Sequence, residues 1–197
     1  MIEMVIASNN LHKIREIQRI LGNEKFKILS LSQLGIQSEP EENGKTFKDN
    51  ALIKALDIRQ FTDKIIIADD SGLIVPSLDN QPGVYSKRYA GENATDEDNN
   101  KLLISNLVNV EEQKRKAMFI SCLCILVGEQ TYFVEGVCHG TIILEPKGTN
   151  GFGYDPIFFI SEYNKTFAEL TEDEKNSISH RGKAVMKMKK LLEEIIG

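Results

Sequence analysis

Ile65-Ile66-Ile67-Ala68-Asp69-Asp70-Ser71-Gly72-Leu73 opens with four apolar residues in a row, then passes two carboxylates, a hydroxyl and a glycine. Alternating apolar and polar residues would mark a strand with one wet face. An unbroken apolar run marks one covered on both faces, as in the centre of a largely parallel sheet. The stretch therefore predicts a central strand that ends at the aspartates, with a site at its carboxyl end. Adjacent side chains of an extended chain point to opposite faces, so only one of Asp69 and Asp70 enters a given cleft. The same residues also suit an Asx-type turn closing a strand.

Upstream, residues 2 to 7 read as a strand. From Leu11, the apolar positions Ile14, Ile17 and Leu21 share one helical face until Gly22 stops it. A second helix is expected after Thr46, an N-cap with Asp49 three residues on, turning Ala51, Ala55 and Ile58 to the core. Downstream, a third helix is expected from Asp96 to Leu107. Lys116 to Val127 and Thr131 to His139, separated by Gly128-Glu129-Gln130, predict an antiparallel hairpin. Thr171-Glu172-Asp173-Glu174 has capping-box form, and Val185, Met188, Leu192 and Ile195 give the last helix an apolar face. Strands interleaved with helices make the chain mixed α/β, and the absence of a linker or repeat makes residues 1–197 one domain.

Five separated stretches each carry part of what a polyanion needs. Ser8, Asn9, Asn10 and Lys13 lie where a strand passes into a helix, whose first N–H groups and dipole favour an anion; a capped helix with a solvated lysine fits equally. Glu42, followed closely by Gly44, is the best partner for one aspartate in holding Mg²⁺ through oxygen ligands. Gly151-Phe152-Gly153-Tyr154-Asp155 sets an aromatic between glycines, where a planar base could stack, or where a core ring anchors a turn. Ser179-His180-Arg181, with Lys175 upstream, offers imidazole, guanidinium and amide donors, or simply starts a capped helix.

With 24 Lys and Arg against 29 Asp and Glu, the chain carries a net charge of -5. That balance excludes bulk electrostatic binding to nucleic acid or to anionic membranes. Its three cysteines lack CxxC spacing and lie in apolar stretches, as expected of buried thiols in the reducing cytoplasm. No apolar run approaches the ~18 residues of a membrane span, and the first residues do not form a signal peptide.

Taken in order, these motifs resemble those of the inosine triphosphate pyrophosphatase family, whose members hydrolyse non-standard purine nucleoside triphosphates such as ITP, dITP and XTP. Asn50-Ala51 with Lys54, Pro82-Gly83-Val84-Tyr85-Ser86, Arg88-Tyr89-Ala90-Gly91 and Ala168-Glu169-Leu170 extend the resemblance nearly end to end. It implies an elongated mixed sheet flanked by helices, two lobes with the active cleft between them, and a homodimer. It further implies Asp70 as catalytic base and metal ligand, Glu42 as the second Mg²⁺ carboxylate, and Ser8 to Lys13 as the triphosphate loop. Lys54 belongs to a matching motif, and Ser71, Phe152, Gly153, Tyr154, Asp155, Lys175, His180 and Arg181 fall on substrate contacts. Asn9 departs from the pattern, since many members carry glycine there. The rivals are a Maf-like pyrophosphatase for pyrimidine or modified nucleotides and a non-catalytic nucleotide sensor.

Overall fold

The computed structural model describes residues 1–22 and 24–196. Its elements in chain order are β1 (Ile2–Ile6), α1 (Leu11–Leu21), β2 (Phe26–Ser30), α2 (Phe47–Arg59), β3 (Ile65–Val75), β4 (Gln81–Pro82) and α3 (Asp96–Leu107). They continue with β5 (Lys116–Val127), β6 (Gln130–Ile142), β7 (Phe158–Ile160), β8 (Lys165–Thr166), α4 (Glu172–Ile178) and α5 (His180–Ile196). The strands form one mixed sheet in the order β2-β1-β3-β5-β6-β7-β8, with β4 beside β3. β1 runs parallel to both β2 and β3, while β4 pairs antiparallel with β3, β7 with β6, and β8 with β7. The chain is mixed α/β, as expected.

Local chemistry accounts for the helix ends. Asn10 caps α1 by accepting the N–H groups of His12 and Lys13, and Gly22 stops the helix at φ 69°, where a Cβ would be strained. Reciprocal capping boxes, Thr46 with Asp49, Thr95 with Asp98 and Thr171 with Glu174, start α2, α3 and α4.

Two compact units emerge. The first comprises Met1–Asp70, Ser121–Gly136 and His180–Gly197; the second comprises Ser71–Ile120 and Val137–Ser179. In the first, strand alternation builds two cores on opposite faces of the sheet. Met4, Ile6, Ile67, Leu123 and Ile125 pack against α1 and α5, while Val5, Ala7, Ile66, Ala68, Cys124 and Leu126 pack on the other face with Ala51, Ala55 and Ile58 of α2. Each fully buried large aliphatic side chain contributes about 1.5–3 kcal/mol. The second unit has its own core around Leu73, Leu103, Leu107, Tyr154 and a trio of phenylalanines; Phe119 and Phe158 ring centroids lie 4.6 Å apart, and Phe158 and Phe167 4.9 Å.

Three expectations are corrected. β3 does not end at the aspartates but runs on to Val75, pairing Ile74 and Val75 with β4. Its carboxylates are met by cations inside the protein and have no need of a turn into solvent. β6 extends three residues past His139, because Thr141 and Ile142 find partners in β7. Ile195 is 37% exposed, the apolar seam of α5 ending at Leu192.

Cys122, Cys124 and Cys138 are all buried. Burial pushes Cys122 up to about 11 and Cys124 up to about 12. Because the thiolate is the reactive species, the folded protein at pH 8 should release almost no chromophore from an aromatic disulfide reagent. Unfolding in urea should then release three equivalents; a fast phase in the native protein would contradict this burial.

Candidate active site

Alternation along β3 sends its two aspartates to different faces. Asp69 shares the parity of Ile67 and points towards α1 and α5; Asp70 shares that of Ala68 and points towards α2.

Asp69 is 1% exposed and serves as the hub of a buried ion network. Its Oδ2 accepts from Arg181 Nε at 3.2 Å and Nη2 at 3.0 Å and pairs with Lys13 Nζ at 3.0 Å, while Ser121 donates to its Oδ1 at 2.7 Å. Burial alone pushes this carboxyl up, but Arg181, Lys13 and Ser121 together hold it well below the usual carboxylate range. Arg181, 2% exposed, also donates Nη1 to Glu16. The helix carrying Arg181 lies tight against β6: a Cβ on Gly136 would sit 2.0 Å from the His180 carbonyl oxygen and 2.5 Å from the Ala184 nitrogen.

On the other face Lys54 Nζ donates to Asp70 Oδ1 at 2.7 Å and to Glu42 Oε2 at 3.2 Å. One ammonium thus bridges the two carboxylates expected to act together. Asn50, 1% exposed, donates to Asp70 Oδ2 at 3.4 Å and accepts the Gly44 N–H at 2.8 Å. It ties the Glu42 loop to β3, and only glycine allows the approach, because a Cβ on Gly44 would lie 2.5 Å from Asn50 Oδ1. Burial raises the Asp70 carboxyl above its ordinary value, with Lys54 and Lys13 opposing it and Glu42 adding to it. Glu42 moves the other way: burial raises it, but Lys54 and a hydrogen bond from Asp70 outweigh that. Of the two carboxyls, Asp70 is therefore the one that takes up a proton more readily. Burial lowers the Lys13 ammonium despite Asp69, with Lys54 and Arg181 adding to the lowering; Lys54 is held up by Asp70 and Glu42 against its burial.

The start of α1 is capped from within. The amides of His12 and Lys13 are bonded to Asn10 Oδ1, because a short polar side chain at the N-cap reaches them first. Ser8 Oγ accepts the Asn10 N–H at 3.1 Å, and Asn9 donates to Ser38 O at 3.1 Å. Asn9 is absent from the positive-φ residues, so the side chain in place of glycine is accommodated without strain.

In the second unit, Lys175 Nζ meets Asp155 Oδ2 at 2.6 Å, both buried, and lies 4.9 Å from the Phe152 ring centroid. Asp155 Oδ2 also accepts the Phe152 N–H at 2.9 Å. A Cβ on Gly151 would sit 1.9 Å from that oxygen, and Gly151 and Gly153 both hold positive φ. Tyr154 is buried with its hydroxyl donated to the Ser86 carbonyl at 2.8 Å, so it anchors the loop. Ser71 follows Asp70 on β3 and is partly exposed.

Glu42, Lys54 and Asp70 are thus brought together in the first unit, with Lys13 and Arg181 on Asp69 and His180 buried beside Arg181 at the start of α5; Phe152, Gly153, Asp155 and Lys175 form a cluster in the second. Sequence reasoning passed over Glu16 and Ser121, named Asn50 only as part of a matching motif, and gave Asp69 no task. Strand parity marked Asp69 as the carboxylate facing away from Asp70, but nothing local pointed to its partners.

The sequence pattern of the Ham1 family matches residues 4–191. The dITP/XTP pyrophosphatase of Clostridium perfringens is 47% identical over 202 residues, covering 98% of each chain, and that of Bacillus subtilis is 46% identical over 192 residues, covering 97% of each. Among solved structures, a HAM1 protein from Coxiella burnetii superposes with a TM-score of 0.89 at 39% identity, covering 98% of this chain and 100% of that one. The Staphylococcus aureus Ham1 protein gives 0.87 at 39% identity, covering 98% of each. Fold and sequence agree along nearly the whole length: the chain belongs to the Ham1 family.

Proposed function

We propose that this chain hydrolyses the non-standard purine nucleoside triphosphates ITP, dITP and XTP to the monophosphate and pyrophosphate. The observation that carries the reading is the Glu42–Lys54–Asp70 cluster, two carboxylates held on one ammonium at 3.2 and 2.7 Å. Support also comes from relatives that are themselves dITP/XTP pyrophosphatases over almost the whole chain.

Asp70 is the group that orients the attacking water and takes its proton. The water oxygen bonds to the α-phosphorus, the bond to the bridging oxygen breaks, and pyrophosphate leaves with that electron pair; no covalent enzyme intermediate is needed. Glu42 and Asp70 are the residues that would hold Mg²⁺. Among the described residues no cluster of three or more His, Cys, Asp or Glu could hold a metal. Such a sparse set suits an ion that completes its shell with phosphate oxygens and water. Bound there, the ion would supply neutralising charge for the phosphates and would lower the pKa of a water. Lys54 and Lys13 supply further positive charge for the phosphates.

Phe152 offers the stacking face for the base, with Lys175 and Asp155 fixing its loop. His180 and Arg181 are the proposed donors to the six-position carbonyl of hypoxanthine and xanthine. Adenine presents an amine there, and an unpaired buried donor costs about 1–3 kcal/mol, on the order of ten- to hundredfold. The enzyme acts on the cytoplasmic nucleotide pool, as a homodimer.

The test is pyrophosphate release from ITP, dITP, XTP, ATP and dTTP with Mg²⁺, repeated with a chelator in excess. ITP, dITP and XTP should exceed ATP in kcat/KM by at least about tenfold, and chelation should abolish turnover. Preference for dTTP would overturn the purine assignment, and binding without hydrolysis would make the chain a sensor.

A further inference from the structure

Phe152 stands between two glycines of positive φ, Gly151 at 76° and Gly153 at 62°. Glycine reaches such torsions without strain, but it also leaves them easily, so the ring's position is defined only if both sides of the loop are tied. On the Gly151 side the tie is Asp155, which accepts the Phe152 N–H and is itself fixed by Lys175. On the Gly153 side both polar groups of one residue are held from α3. Asp96 Oδ2 accepts the Gly153 N–H at 2.7 Å, and Asn100 Nδ2 donates to the Gly153 carbonyl at 3.0 Å. Four residues apart, these side chains leave the same face of the helix.

The helix that makes this grip is itself well seated. Leu103 and Leu107 are fully buried in the core of the second unit. Asn99, between the two gripping residues, accepts the Ala90 N–H at 2.8 Å and donates to the Lys87 carbonyl at 3.1 Å. The capping box of Thr95 and Asp98 starts it. A rigid element thus holds a loop whose own sequence is permissive.

Asn100 bears the mark of a residue placed for something other than stability. Its Oδ1 is buried without a hydrogen-bond partner, and a buried, unsatisfied acceptor destabilises a fold. Asparagine is also a poorer helix former than leucine, which is similar in length and has no acceptor to satisfy. The bond from Nδ2 to Gly153 is what the residue contributes in return.

We propose that Asp96 and Asn100 are positioning residues for the base end of the substrate: by clamping the Gly153 peptide they fix the Phe152 ring where a purine stacks. The proposal rests on the functional reading above. A ring held in place binds base in ground and transition states alike, so the clamp acts on KM and leaves kcat little changed.

The experiment compares wild type with Asp96→Ala, Asp96→Asn, Asn100→Leu and Asp98→Ala. It measures kcat and KM for ITP, inhibition constants for IMP and for inorganic pyrophosphate, and Tm. Asp96→Ala should raise KM and the IMP constant about three- to tenfold, with kcat and the pyrophosphate constant within about twofold of wild type. Asp96→Asn, which keeps an acceptor, should recover most of that loss. Asn100→Leu should raise KM while Tm holds or rises, a pairing that a purely structural residue would not give. Asp98→Ala breaks the cap of the same helix without touching the loop, and should lower Tm with KM unchanged. Absence of ITP and XTP turnover in wild type would overturn the functional reading and the clamp with it. In an active wild type, a KM for Asp96→Ala within about twofold of normal would overturn the clamp alone, as would equal rises in the IMP and pyrophosphate constants, or an Asp98→Ala that raises KM as much.

Discussion

Asp70→Asn is expected to lower kcat by about 10²–10³-fold while leaving a folded protein, the scale for losing a general base together with a metal contact. The amide keeps the shape of the carboxylate, and its oxygen can still accept from Asn50 or Lys54. It can neither take a proton nor supply an anionic ligand. Lys54 retains Glu42, so the cluster does not scatter. Initial rates of pyrophosphate release, with circular dichroism and a thermal melt as the folding check, decide the matter. Turnover within about threefold of wild type would move the chemistry elsewhere.

Asp69→Ala should produce the opposite profile, a loss of stability first. Removing one partner of a buried ion network strands the others, and such losses run to about 3–5 kcal/mol. Here Arg181 and Lys13 would both lose their shared carboxylate, and Ser121 its acceptor. For a chain of this size the Tm should fall by about 6–20 °C, since each kcal/mol is worth about 2–4 °C. Urea unfolding at neutral pH measures the free energy directly. A variant within about 1 kcal/mol of wild type would show that Glu16 and the Asp69 main-chain carbonyl, which already accepts from Lys13, suffice for the two cations.

What the sequence made legible was whatever repeats over a few residues. Helices α1, α2 and α3 were readable because apolar spacing and cap residues are local, and α3 begins and ends where its pattern does. The opposite facing of Asp69 and Asp70 was readable from the pleat alone. The strands β4, β7 and β8, of two or three residues each, were not, because so short a run has no period and exists only where a neighbour supplies hydrogen bonds. The same limit applied within the site. Glu42, Lys54 and Asp70 were named from motif order, but Arg181 meets Asp69 across 112 positions and Ser121 meets it across 52. No spacing rule reaches that far. The stretch Ser8 to Lys13 was ambiguous for another reason: Ser, Asn and Lys at a helix start describe an anion site and a capped helix alike, and Asn10 bonds the amides of His12 and Lys13 itself.

The pleat of β3 has a consequence for heredity. Substitutions in Ile65 to Ala68 that keep an apolar side chain change packing by small steps, and cores absorb such exchanges. A single-residue insertion or deletion in the same stretch is another kind of event. It would leave the composition almost untouched but turn the following residues over, delivering Asp70 to the arginine and Asp69 to the lysine of α2. One codon gained or lost would thus exchange the anchoring acid for the reacting one along the rest of the strand. Descendants of this gene can therefore drift in the letters of β3 but not in its length.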